Sequence, residues 1–242
     1  MSLLEEMFAD RTAEIELYLD LLQGLEENVQ GAADPQSNGV AMSPEQQRIL
    51  FSGTYLQLYN LVEATANECI KAVCSAIKGS SECRPARLST PLKREWVRYC
   101  ARTHSDLNFD NRLTHSVETI DHIISGLPIN DIRIEVGGGG NWDDEEIFRL
   151  ARRLDIRLQI SAPTNAAIKR TYRDERTALG FIKSCRNKLA HGEISFGDCE
   201  RDVSVRQLRD LVVAVLVYLK EVIAAFIRFI DEKQFLQPEV TI

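Results

Sequence analysis

Arg186-Asn187-Lys188-Leu189-Ala190-His191-Gly192 ends one helical segment of this chain and precedes another. It sets a permanently charged guanidinium and an imidazole near a helix end that a glycine then closes. Arginine grips a phosphate through two parallel hydrogen bonds. Histidine takes or gives a proton near neutral pH. These are the two roles that metal-free cleavage of an RNA phosphodiester requires. At 100° per residue the two side chains point about 140° apart if the helix runs through both. Asn187 and His191, at i and i+4, share a face. Arg186 and His191 converge if the helix frays near Gly192, or if two copies meet about a two-fold axis. The plainer alternative is that His191 helps to end the helix while Arg186 makes a surface ion pair.

Around this segment the chain reads as helices. Residues 3–30 carry Leu4, Phe8, Ile15, Tyr18, Leu22, Leu25 and Val29 as an apolar stripe opposite a row of acids. Residues 31–40 have a loop composition. Ser43-Pro44-Glu45-Gln46 predicts a capping box and the start of a second helix that ends at Gly79. Helices are expected over Pro91–Arg102 and Leu113–Ile124, and extended chain over Ile132–Val136. Four glycines, 137–140, precede a helix capped by Asp143 with Glu146. The motif-bearing helix is expected from about Thr164 to Ala190 with an early break. Ser204 with Gln207 starts the last helix, to about Phe235. The expected fold class is therefore all-α. It is a single domain over 1–242, a four-helix bundle with a mostly helical insertion, about 80–163, between the second and third core helices.

The 242 residues carry a net charge of −7, which conceals a division. Residues 1–34 hold nine acids and Arg11, a balance of −8, so the remainder is −7 + 8 = +1. Arg84 to Arg102 holds six basic residues against Glu95 alone. An acidic chain can therefore present a phosphate-attracting patch. Six cysteines form no C-x-x-C pair, residues 1–30 lack the basic start and apolar run of a targeting sequence, and no targeting segment is expected. Reduced thiols, a cytoplasmic location and no structural zinc are expected. The apolar stretch Leu211–Ile230 is interrupted by Lys220-Glu221, too early for a membrane span of about 20 apolar residues.

Arg186 to Gly192 resembles the R-x-x-x-x-H signature of the HEPN superfamily of helical bundles, many of them ribonucleases. Three further stretches resemble members of its prokaryotic toxin and defence branch in the same order: Phe51–Ile70, Gly137–Ile156 and His191–Val212. The likeness spans roughly residues 45–235. It implies an up-and-down four-helix bundle acting as a homodimer, with both motifs lining one cleft. The implied activity is metal-independent endoribonuclease cleavage to a 2′,3′-cyclic phosphate, as a toxin of a toxin–antitoxin or antiphage system. No cofactor is implied, an antitoxin protein is a possible partner, and RNA is the substrate. The alternatives are a non-catalytic HEPN-like RNA- or protein-binding module, such as the neutralising partner of a two-gene pair, and a helical scaffold without RNA contact.

Under the resemblance His191 is the acid or base, Arg186 binds the scissile phosphate, and Asn187 orients the imidazole or holds a phosphate oxygen. Glu63, in an otherwise apolar and small-residue helix, is a candidate partner that orients Arg186, or an exposed helix residue. Lys183 and Lys188 flank the motif as candidate RNA contacts. Arg94, Arg98 and Arg102, with Trp96 and Tyr99 interleaved, offer a backbone grip and a stacking platform, or a solvated face with its aromatics buried. His115, His122 and Asp121 lack a further defined ligand, so no metal site is expected. The glycine run lacks a P-loop pattern, and Cys185 reads as a core residue.

Overall fold

In the computed structural model, residues 2–31, 43–102, 106–136, 141–199 and 203–237 are described. The four glycines, most of the loop expected at 31–40 and the side chain of Val29 lie outside them. Among the described residues the order is α1 (Leu3–Gly31), α2 (Pro44–Gly79), α3 (Thr90–Cys100), α4 (Phe109–Ile124), α5 (Asp144–Arg153), α6 (Ala162–Lys169), β1 (Thr171–Arg173), β2 (Arg176–Thr177), α7 (Ala178–Ala190) and α8 (Val205–Asp231). The fold is all-α. The chain divides into two units, Met1–Ala66 with Asn141–Ile147 and Ile160–Val222, and Asn67–Gly140 with Phe148–Gln159 and Ile223–Ile242.

Two helix starts follow from reciprocal capping. Gln46 N–H donates to Ser43 Oγ at 3.2 Å and Ser43 N–H to Gln46 Oε1 at 2.8 Å. Gln207 and Ser204 repeat this at 3.3 and 3.0 Å ahead of α8. Each box satisfies amides that the helix itself leaves unpaired.

In the first unit α1 buries Leu4, Phe8, Ile15, Leu19 and Leu22. Tyr18 Oη donates to the Leu50 carbonyl at 2.6 Å. Gly53 permits that approach, because a Cβ there would stand 2.7 Å from the same oxygen. The acids of α1 are largely solvated. Asp20 pairs with Arg209 at 2.6 Å, and Glu26 accepts from the Val205 amide at the start of α8.

The expected break in the motif helix is larger than a kink. Between α6 and α7 the chain makes a short antiparallel hairpin, pairing Thr171 with Thr177 and Arg173 with Arg176. Its two turn residues, Asp174 and Glu175, both have positive φ, 47° and 58°, as a two-residue type I′ turn demands. Tyr172 packs against Phe181, and Phe181 meets Tyr55 edge-on with ring centroids 5.5 Å apart. The hairpin is therefore fixed by aromatic packing on α7 and α2.

In the second unit α4 starts at Phe109, earlier than expected, because Asn108 caps it by accepting from Asn111 N–H. Ile132–Val136 keeps the alternation read from sequence, with Ile132 and Ile134 buried and Arg133 exposed, but it joins no strand among the described residues. Glu95 is buried and holds Arg98 by two contacts, at 2.7 and 2.8 Å, with Arg153 at 3.2 Å. No helix among the described residues is long and apolar enough to cross a membrane.

Glu95 is thus the counter-ion of two partly exposed guanidinium groups. Glu95→Ala is expected to cost about 2 kcal/mol, the scale of a charge-assisted hydrogen bond. It should appear as a lower urea midpoint at unchanged slope; an unchanged midpoint would show that the pair contributes nothing.

Candidate functional site

Four consecutive residues, Asn141-Trp142-Asp143-Asp144, frame the helix that carries the motif. Asp144 is buried, accepts from the Thr177 hydroxyl at 3.1 Å and pairs with Lys169 at 2.5 Å. Thr177 is in turn the N-cap of α7, accepting from Gly180 N–H. One carboxylate thereby sets where α7 begins. Asp143 caps α5 through Glu146 N–H at 2.9 Å and pairs with Lys183 on α7. The Trp142 amide donates to Tyr59 Oη on α2 at 3.3 Å. Asn141 accepts from the Asn187 side-chain amide at 3.1 Å.

Tyr59 is almost wholly buried, and burial pushes its phenol above the ordinary range. Its ring is the platform for Arg186, whose guanidinium carbon lies 4.7 Å from the ring centre. This is cation–π range. Arg186 Nη1 donates to Asn187 Oδ1 at 2.9 Å. A relay therefore runs from Arg186 through Asn187 to Asn141. Glu63 reaches Arg186 Nη2 only at 3.9 Å, with both side chains one-third exposed. That separation is a screened ion pair and not a hydrogen bond.

His191 is the C-cap of α7 and keeps a right-handed conformation, φ −91° and ψ 0°. Gly192 follows at φ +70°. Gly192 N–H reaches Leu189 O at 3.2 Å and Glu193 N–H reaches Lys188 O at 2.9 Å, the bond pair of a Schellman ending. The helix therefore closes tightly and does not fray. No hydrogen bond or ion pair among the described residues joins Arg186 to His191. The imidazole is exposed.

Of the residues singled out from sequence, the structure brings together Arg186, Asn187 and Glu63. The Asn187 amide is engaged by Arg186 and Asn141, so it orients the guanidinium and not the imidazole. Lys183 is engaged by Asp143, while Lys188 is partly exposed. Arg94, Arg98 and Arg102 belong to the other unit. There Arg98 is tied to Glu95, while Arg94 and Arg102 are exposed. Trp96 is buried against His122 and Tyr99 donates to Asp131. Trp96 is therefore a core residue and not a base-stacking platform. His115 pairs with Glu118, and among the described residues no three metal-ligating side chains cluster.

Sequence reasoning missed Tyr59 and Asn141. The polar run Asn141–Asp144 after four glycines was the available signal; Tyr59, at i−4 from Glu63 on α2, was the other.

Tyr59→Phe keeps the ring beneath Arg186 but removes the acceptor of the buried Trp142 amide. Unfolding free energy should fall by about 1 to 2 kcal/mol. A variant as stable as the parent would mean that the Tyr59–Trp142 bond does not anchor the segment.

A model of the MAE_28990-like HEPN family matches residues 1–235. The match takes in the acidic α1 as well as the motif helix. No curated protein and no solved structure matches the chain. With the family pattern covering nearly its whole length, the chain belongs to the MAE_28990-like HEPN family.

Proposed function

We propose that this protein is a metal-independent endoribonuclease, acting as the toxin of a toxin–antitoxin or antiphage system in the cytoplasm. HEPN proteins are often ribonucleases, which supports the class. The observation that carries the reading is the mounting of Arg186. It is one-third exposed, stacked on Tyr59 and aligned by Asn187, with a single side-chain hydrogen bond among the described residues and a 3.9 Å ion pair to Glu63. A guanidinium fixed in this way can receive a scissile phosphate without first losing its own freedom.

The tight end of α7 supports a composite site. Because the helix holds its geometry through His191, the arginine and histidine of one copy diverge, and a second copy about a two-fold axis supplies the missing convergence. Exposed Leu17 and Leu21 on α1, with Val213 and Val217 on α8, offer apolar surface for such contacts. In the assembled cleft one His191 takes the proton of the ribose 2′-hydroxyl as that oxygen attacks phosphorus. The bond to the 5′-oxygen breaks, and the second His191, protonated, gives that oxygen its proton. Arg186 holds the charge gathering on the phosphoryl oxygens, and a 2′,3′-cyclic phosphate remains. Lys188 adds backbone attraction. The exposed acids of α1, Glu6, Asp10, Glu14 and Glu16, suit a basic face on an antitoxin.

The test is total RNA incubated with the protein in EDTA, beside folded Arg186→Ala and His191→Ala. Each substitution should lower the rate by at least about 100-fold, the scale of a lost acid–base or charge-stabilising group. Cleavage that survives both substitutions would remove the motif from the chemistry.

A further inference from the structure

Helix α4 is amphipathic with its faces reversed. Toward its own unit it turns polar residues: Thr119 is buried, the His122 ring packs on buried Trp96 with centroids 5.3 Å apart, and His115 is mostly covered. Its other face carries Phe109, Leu113, Val117, Ile120, Ile123 and Ile124. Phe109 is 79% and Ile124 77% exposed, and the remaining four are about half exposed. A surface helix ordinarily buries its apolar stripe and solvates its polar one. The reversal uncovers on the order of 600 Å² of apolar surface, the upper end for a monomer and near the roughly 800 Å² that each partner of a stable dimer covers.

We propose that this face docks on the same face of a second copy, the two α4 helices packing antiparallel about a two-fold axis. Leu113, Val117, Ile120 and Ile124 are spaced four, three and four residues apart, the seam of a helix pair. Reversed on itself, the row is self-complementary. Val117 meets the partner's Ile120, and Leu113 meets the partner's Ile124. A two-fold contact requires this property, because the same patch must serve both sides. Phe109 and Ile123 flank the row on one side and widen it. No charge lies within the row, so no like charges meet across the axis, and antiparallel helices set opposite dipole ends side by side.

A lipid surface suits the helix less well. Asp110, Glu118 and Asp121 stand against Arg112 alone on α4, whereas helices that lie in a membrane surface carry a basic polar face. A groove on an unrelated protein would not require the row to match itself when reversed. The contact lies on the insertion, in the second unit. It uses no residue of the motif and none of the apolar surface on α1 and α8, and it stands whether or not the chain cleaves RNA.

Sedimentation equilibrium of the full chain, without RNA, should show a doubling of mass as concentration rises to about 100 μM. Val117→Glu and Ile120→Lys change exposed positions, which the fold tolerates. Each alone should raise the midpoint of that doubling at least about tenfold, because both copies then bring a charge into the central layer. Mixed one to one, the two variants should associate again, since the introduced carboxylate and ammonium face each other across the axis. A parent chain that keeps one mass over this range would overturn the proposal, as would a doubling that both substitutions leave unchanged. Weakened variants that do not recover on mixing would rule out the antiparallel pairing. Binding of the parent to phosphatidylcholine vesicles, lost in Val117→Glu and without change of mass, would give the face to lipid instead. Should a variant fail to fold, amide exchange of the parent decides: residues 109–124 should exchange more slowly above the midpoint than below it, and unchanged exchange there would contradict the contact.

Discussion

The placement of Arg186 depends on a short polar run that lies far from it in sequence. Asn141 to Asp144 give each of four consecutive residues a partner on α2 or at α7: Asn187, Tyr59, Lys183 and Thr177. Two of these contacts set α7 itself, at its N-cap, Thr177, and at Lys183 further along it. The other two set the arginine, through the ring beneath it and the amide beside it. Because Asp144 and the Tyr59–Trp142 bond are buried, breaking them leaves polar groups without water, which makes the arrangement costly to disturb. A guanidinium on a long flexible stem is held in this way by packing and not by a close carboxylate.

The two ends of the motif are built differently. Arg186 is held against the Tyr59 ring, with Asn187 and Glu63 beside it. His191 stands at the helix terminus, where the Schellman ending fixes its backbone and leaves its ring to solvent. On the proposed reading, a held guanidinium and an exposed imidazole suit a reaction in which RNA enters between surfaces.

Local chemistry was legible in the sequence and long-range chemistry was not. Both capping boxes, Ser43 with Gln46 and Ser204 with Gln207, fall where the residue types put them, since the interaction is complete within one turn. A carboxylate on an apolar helix left Glu63 either beside Arg186 or in solvent, and Asn187 read as a partner of the imidazole or of phosphate, whereas its amide oxygen accepts from Arg186. The hairpin of β1 and β2 was hidden because its turn is Asp174-Glu175, which lacks the glycine or asparagine that marks a type I′ turn. Tyr59 and Trp142 stand 83 residues apart, and no periodicity links them. Trp96 shows the converse limit: interleaved basic residues resemble a stacking surface, yet the amphipathic turn of α3 carries the indole inward. Lys183 was visible as a charge, while its neutralisation by Asp143 depends on the same distant run.

The central claim is that the chain's own imidazole and guanidinium groups drive attack by the ribose 2′-oxygen, and the ends of a cleaved RNA report on it directly. A short defined RNA cut by the full chain in EDTA, with both fragments weighed by mass spectrometry, should carry a 2′,3′-cyclic phosphate on one fragment and a 5′-hydroxyl on the other. A 3′-hydroxyl facing a 5′-phosphate would contradict the claim, because those ends require water and not the 2′-oxygen as the nucleophile.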